Sequence, residues 1–274
     1  MSHNRTGCTV AMPKFAANIS MMFNEVDFLD RFAAAAAAGF KGVEFLFPYD
    51  YSPEEIKVEL DENNLIQVLF NTYPGDWERN ERGLASIPGR EQEFEKAVEQ
   101  SIIYANILEN QCIHVMSGLV EKEPPKRHFD TLISNLKRVA PVAAQNGKTL
   151  IIEPINTRDI PGYFLNYQAQ ARSIIEIVGA DNVKLQFDLY HCQIMEGDLA
   201  IHMREYLDII AHMQIAGRHV FNDDFVRGED KPGAIATRTT GGYFLKEEGS
   251  TLVSQREAFG NLRAVIEAPA TTIA

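Results

Sequence analysis

Three short apolar runs in the second half of this chain each end on a side chain whose oxygen could hold a metal ion. Leu150-Ile151-Ile152 runs into Glu153, Val183-Lys184-Leu185-Gln186-Phe187 into Asp188, and Ile209-Ile210-Ala211-His212-Met213 into Gln214. An oxygen-only ligand set suits Mg²⁺ or Mn²⁺ better than Zn²⁺, which favours histidine and cysteine. A hard cation with a glutamate at hand is suited to moving a proton between carbons beside a carbonyl. The cation chelates the carbonyl and hydroxyl oxygens and stabilises the enediolate, while the carboxylate carries the proton. There is no HExxH, and neither Ser nor Cys sits in a nucleophile motif.

Four further side chains are candidates for contacting a substrate: Glu44, Asn71, His114 and His191. Strand alternation could turn Glu44 into the interior, where a carboxylate needs a partner or a metal. His114 stands between Ile113 and Val115, and His191 follows Asp188 by three residues at the start of a loop.

The elements that must position these residues alternate strand and helix along the chain. Strands are expected at Phe15–Ile19, Val43–Phe47, Gln67–Phe70 and Cys112–Met116, then at the three runs above. Helices are expected at Val26–Ala38 (closed by Gly39), after the capping-box pair Ser52 and Glu55, and at Glu91–Leu108 and Phe129–Gln145. Two more are expected at Gln168–Val178 and Leu199–Tyr206. Short buried strands separated by helix-length intervals make a parallel sheet, whose ligands bind at the carboxyl ends of the strands. The expected fold is an α/β (β/α)₈ TIM barrel forming a single domain over residues 1–274. No GxGxxG or P-loop supports a doubly wound nucleotide fold.

The segment 218–274 diverges, being rich in charge, Gly and Thr as far as Gly249. One later run, Leu262–Ile266, could be the eighth strand and would deliver Glu267 to the same rim, as a second catalytic carboxylate and fourth metal ligand. Only Ala268 to Ala274 follow, too few for a closing helix of ordinary length, about 10–14 residues. The last βα unit is therefore expected to be atypical or incomplete.

A length of 274 residues with 45% hydrophobic and 23% charged content is that of an ordinary globular protein. A net charge of −12 argues against nucleic-acid grooves and anionic membranes as partners, leaving a small molecule. Cys8, Cys112 and Cys192 are odd in number and form no CxxC pair, which suggests a reducing compartment. With no apolar leader in Met1–Gly7 and no membrane-length apolar stretch, a cytoplasmic location is expected. Assembly into a homo-oligomer is left open.

Several segments resemble the hydroxypyruvate isomerase family. They include Gly42-Val43-Glu44-Phe45-Leu46-Phe47-Pro48-Tyr49, Asn71-Thr72-Tyr73-Pro74-Gly75-Asp76-Trp77, Gly83-Leu84-Ala85-Ser86-Ile87-Pro88-Gly89-Arg90, Ile152-Glu153-Pro154-Ile155-Asn156 and Asp188-Leu189-Tyr190-His191. The likeness runs from about Lys14 to Gly217. It implies a xylose-isomerase-like barrel with a divalent metal that interconverts hydroxypyruvate and tartronate semialdehyde, or acts as a 2-oxo-tetronate isomerase. A barrel that binds sugar acids without turnover is the other reading. The resemblance makes Glu153 both metal ligand and acid/base, with Asp188 and Gln214 as the next two ligands. Past Gly217 the family pattern stops: Gly217-Arg218-His219-Val220-Phe221 keeps an Arg-His, but the family's later glutamate, set in Gly-Cys-Glu-Tyr, has no counterpart.

Overall fold

The seven apolar runs predicted as strands as far as Gln214 all form strands, and they lie parallel in one sheet. In a computed structural model the strands are β1 (Ala16–Asn18), β2 (Gly42–Glu44), β3 (Ile66–Asn71), β4 (Cys112–His114), β5 (Thr149–Ile152), β6 (Val183–Asp188) and β7 (Ile210–Gln214), paired in chain order. Residues 14–120 and 125–216 are described, together with the backbone of β8 (Ala236–Thr239) and β9 (Gly242–Leu245). Because the strands are parallel and in sequence order, all their carboxyl ends form one rim. That rim carries a polar side chain at every strand end: Asn18, Glu44, Asn71, His114, Glu153 just past β5, Asp188 and Gln214. The register sets Asn71 beside His114 and Asp188 beside Gln214.

Helices α1 (Asp30–Ala37), α2 (Pro53–Glu62), α3 (Glu91–Ile107), α4 (Pro125–Gln145) and α5 (Gln168–Val178) cover the sheet. The capping box forms as expected, with Ser52 accepting from Glu55 N and Glu55 reaching back to Ser52. α1 starts later than the predicted Val26, because residues 26–29 are spent in turns; α4 starts earlier than Phe129, since Pro125 suits a first helical turn. A short helix that the sequence reading missed, α6 (Leu189–Met195), starts where Asp188 accepts from the amides of Tyr190 and His191; α7 (Leu199–Tyr206) follows it.

Between the sheet and these helices lies an apolar core in which Phe32, Phe45, Phe70, Ile113, Leu150 and Phe187 are at most 2% exposed. Each such side chain contributes about 1.5–3 kcal/mol when fully buried. Among the described residues no helix is long and apolar enough to cross a membrane.

The long connection after β3 is held against the rim by a bridge from Gly83 to Ser117, which lies just past β4. Gly83 has φ +119°, and a Cβ there would stand 2.3 Å from the Met116 carbonyl oxygen. Gly83→Ala must distort both the turn and the rim, so a loss of about 2 kcal/mol or more is expected. A urea midpoint equal to that of the unsubstituted protein would show that the loop is not pinned this way.

Beyond β7, where residues 218–249 show no clear strand–helix rhythm in the sequence, two short strands form. β8 and β9 pair antiparallel, Ala236 opposite Leu245 and Thr239 opposite Gly242, in a small sheet of their own. Thr, Tyr and Phe carry the strand propensity there, outweighing the Gly and charge that suggested irregular chain. The predicted eighth strand at Leu262–Glu267, and with it Glu267, lies outside the described residues.

Candidate active site

Glu153 stands one residue beyond β5, 5% exposed, with two histidines aimed at it. His114 Nε2 is 3.7 Å from one carboxylate oxygen and His191 Nε2 is 3.9 Å from the other. Asp188, 6% exposed, completes the group: one ligand atom each from Glu153, Asp188 and His191 lie within 4.8 Å of one another. Two buried acids this close oppose each other's ionisation. Burial, then the neighbouring Asp188, hold the Glu153 carboxyl well above the usual carboxylate range, against a hydrogen bond from Gln186. Burial also raises Asp188, partly offset by His191 and by the two amides that Asp188 caps. A carboxyl held high by its surroundings is suited to giving and taking protons near neutral pH.

The hydrogen-bond network fixes both histidine tautomers. Asn156 is over-determined: its Oδ1 accepts from the amides of Arg158 and Asp159, and its Nδ2 donates to the Asp159 carboxylate at 2.8 Å. The same Nδ2 lies 2.7 Å from His191 Nδ1. His191 Nδ1 is therefore the acceptor and Nε2 carries the proton, which makes Nε2 a donor toward Glu153 or a substrate and not a metal ligand. His114 is the reverse. Its Nδ1 pairs with Asn71 Oδ1 at 3.1 Å, leaving Nε2 as a bare acceptor. Burial, assisted by His191 and His212, pushes the His114 pKa down to about 3, so its ring is neutral at working pH.

That shift has a testable sign. Between about 3 and the ordinary 6.5, the unfolded chain binds a proton that folded His114 refuses, so this contribution to stability grows as pH rises and is complete above 6.5. In metal-free protein, His114→Gln should flatten the rise of the urea midpoint across this window by up to one proton's slope, roughly 1.4 kcal/mol per pH unit. An unchanged slope would show that His114 titrates normally.

The sequence candidates thus fall into two groups. Glu153, Asp188, His114, His191 and Asn71 come together. Gln214 and Glu44 meet each other instead: Gln214 Nε2 donates to Glu44 at 2.6 Å, and Gln186 Nε2 donates to Gln214 Oε1 at 2.7 Å. Gln186 joins the two groups, since its side chain also neighbours Glu153 and favours the ionised carboxylate. A cavity of about 820 Å³ between the β1 and β7 edges is lined by Glu44 and His212, but not by Glu153, Asp188 or His191.

Gln186, His212 and Asn156 were not singled out from the sequence. The first two had a signal: each precedes a candidate ligand by two residues and so shares its strand face. Asn156 had none beyond its place in the loop after Glu153.

Does the site fit a metal ion? Glu153 Oε1, His114 Nε2 and Gln186 Oε1 are buried acceptors without a hydrogen-bond partner among the described residues. Buried acceptors normally find a donor. Three left over beside two carboxyls make a place for a cation, or for a hydroxylated substrate that supplies the donors.

Residues 32–238 match the family model described as xylose isomerase-like TIM barrel. A 2-oxo-tetronate isomerase of Cupriavidus necator is 53% identical over 207 residues, covering 75% of this chain and 80% of the relative. A hydroxypyruvate isomerase of Escherichia coli is 45% identical over 228 residues, 82% of this chain and 85% of the relative. Among solved structures, one titled AP endonuclease, family 2, from Brucella melitensis superposes with a TM-score of 0.79 at 42% identity, covering 93% of this chain and 89% of that one.

Proposed function

This chain belongs to the xylose isomerase-like TIM barrel family, and from that premise we propose that it is a sugar-acid isomerase acting on a short hydroxy-oxo acid. Hydroxypyruvate is the first substrate of choice and a 2-oxo-tetronate the second. The observation that carries the reading is the buried Glu153, held above its usual pKa between two histidines on the rim, in a chain similar over most of its length to relatives named as such isomerases.

Glu153 takes the proton from the carbon bearing the hydroxyl, leaving an enediol, and a proton is returned to the neighbouring carbon. The hydroxyl proton passes to the former carbonyl oxygen, so product and substrate differ only in the position of two hydrogens. His191 Nε2–H is placed to hydrogen-bond an oxygen of the substrate. His114 Nε2 accepts from a substrate hydroxyl, with its ring fixed by Asn71. The two carboxylates and the Gln214 oxygen are the groups that would hold Mg²⁺ or Mn²⁺, which when bound neutralises charge developing on the substrate oxygens. Glu267 keeps its proposed part as the second carboxylate.

The endonuclease title of the Brucella structure supports a second reading, hydrolysis of a DNA phosphodiester. That chemistry calls for a basic face and a histidine-rich, multi-metal site. A net charge of −12 and a site whose candidate metal ligands are carboxylates and an amide favour the isomerase.

Incubation with hydroxypyruvate and Mg²⁺ in D₂O tests the proposal. Tartronate semialdehyde carrying solvent deuterium on carbon is expected, and EDTA should suppress it. Folded protein that binds hydroxypyruvate but forms no product and exchanges no hydrogen, with Mg²⁺ or Mn²⁺, would support binding without turnover instead.

A further inference from the structure

Glu44, with Gln214, stands in the second group of candidates, where it is 2% exposed and hydrogen-bonded through both carboxylate oxygens. It reaches from β2 to β7, two strands that do not pair. Asn18 Oδ1 accepts from the amide of Ser20, so Asn18 Nδ2 faces Glu44 Oε1, at 3.4 Å. The same Oε1 accepts from Gln214 Nε2 at 2.6 Å, while Oε2 lies 2.8 Å from His212 Nε2. Whichever ring nitrogen of His212 carries the proton, Oε1 is an acceptor for two amides.

An amide has two ends of opposite character. With its nitrogen drawn to Glu44, Gln214 must turn its oxygen the other way, and there it meets Gln186 Nε2 at 2.7 Å. Gln186 in turn neighbours Glu153 and favours its ionised form. We infer that Glu44 is a positioning residue: by holding the nitrogen end of Gln214 it turns the oxygen end toward Gln186, which makes Gln214 a usable oxygen ligand. The inference rests on the proposed metal site for its purpose, but not for its geometry.

The competing role is a clasp that merely ties β2 to β7. A clasp and a positioning residue respond differently to Glu44→Gln, which keeps the shape and an acceptor oxygen but can equally offer an N–H. Gln214 is then free to present either end. Expected in metal-free protein is one sharp pair of Gln214 side-chain amide resonances for the unsubstituted chain, doubled or exchange-broadened in Glu44→Gln at a similar melting temperature. With Mn²⁺ alone as probe, calorimetric affinity should fall about 10–100-fold, the range for losing a group that orients a ligand. The double variant Glu44→Gln/Gln214→Glu offers oxygen at both ends of residue 214 and should recover most of that affinity.

A single sharp amide pair in both proteins overturns the inference, as does a double variant that keeps the melting temperature of the unsubstituted chain but does not recover affinity. If the unsubstituted protein takes up no Mn²⁺, the metal reading fails, and the amide resonances still decide whether Glu44 positions Gln214.

Discussion

Glu153→Gln should turn over hydroxypyruvate at least about 10²–10⁴-fold more slowly, the usual loss when a general acid/base is removed, and yet resist urea better than the unsubstituted protein. The two effects have one cause. Glu153 is 5% exposed and its carboxyl is held above the usual range by burial and by Asp188. From the ordinary value of 4.5 up to the raised folded value, the folded protein keeps a proton that the unfolded chain gives up. Stability therefore falls as pH rises through that window. Glutamine has no proton to lose and nearly the same shape. In EDTA-treated protein the variant should lack this fall, matching the unsubstituted chain at low pH and exceeding it near neutrality. Urea midpoints from pH 4 to 8, set beside turnover, make the measurement. Near-normal turnover in a folded Glu153→Gln protein would remove the proposed mechanism.

Asp188 separates structure from chemistry when it is replaced in two ways. It ends β6, caps α6 through the amides of Tyr190 at 2.6 Å and His191 at 3.0 Å, and faces Glu153. Asp188→Asn keeps an oxygen for both cap bonds but no charge. It should fold with nearly unchanged stability, lose Mn²⁺ affinity and lose turnover by about 10²-fold or more. Asp188→Ala should add a stability loss of about 0.5–2 kcal/mol for the missing cap. It should also let His191 drift, since α6 starts at the residue removed. Calorimetric titration with Mn²⁺ and urea unfolding of both variants give the comparison. If Asp188→Asn binds Mn²⁺ as tightly as the unsubstituted chain, Asp188 is a structural cap and the metal reading loses a ligand.

Much of the framework was legible in the residues. Strands β5, β6 and β7 lie within a residue of their predicted ends, because a strand buried on both faces must be a short apolar run, and because Pro154 marks one of the stops. The rim that gathers Glu153, Asp188 and Gln214 follows from parallel strands taken in order. α6 was missed since Leu189–Met195 is too short to show a helical period, and only the folded Asp188 cap reveals where it starts.

Sequence by itself thus determined which side chains stand at strand ends and on which face, because period-two alternation and helix-stop chemistry are local. It could not determine which of those side chains touch. Glu44 meets Gln214 across 170 residues, and curvature of the sheet, not any local rule, brings β2 to β7. Likewise the sequence offered His191 as a substrate contact without saying which ring nitrogen donates; Asn156, held by the loop after β5, takes its Nδ1 and leaves Nε2 a proton donor. Direction of a hydrogen bond depends on the partner's own partners, and these are assembled only when the strands close around the rim.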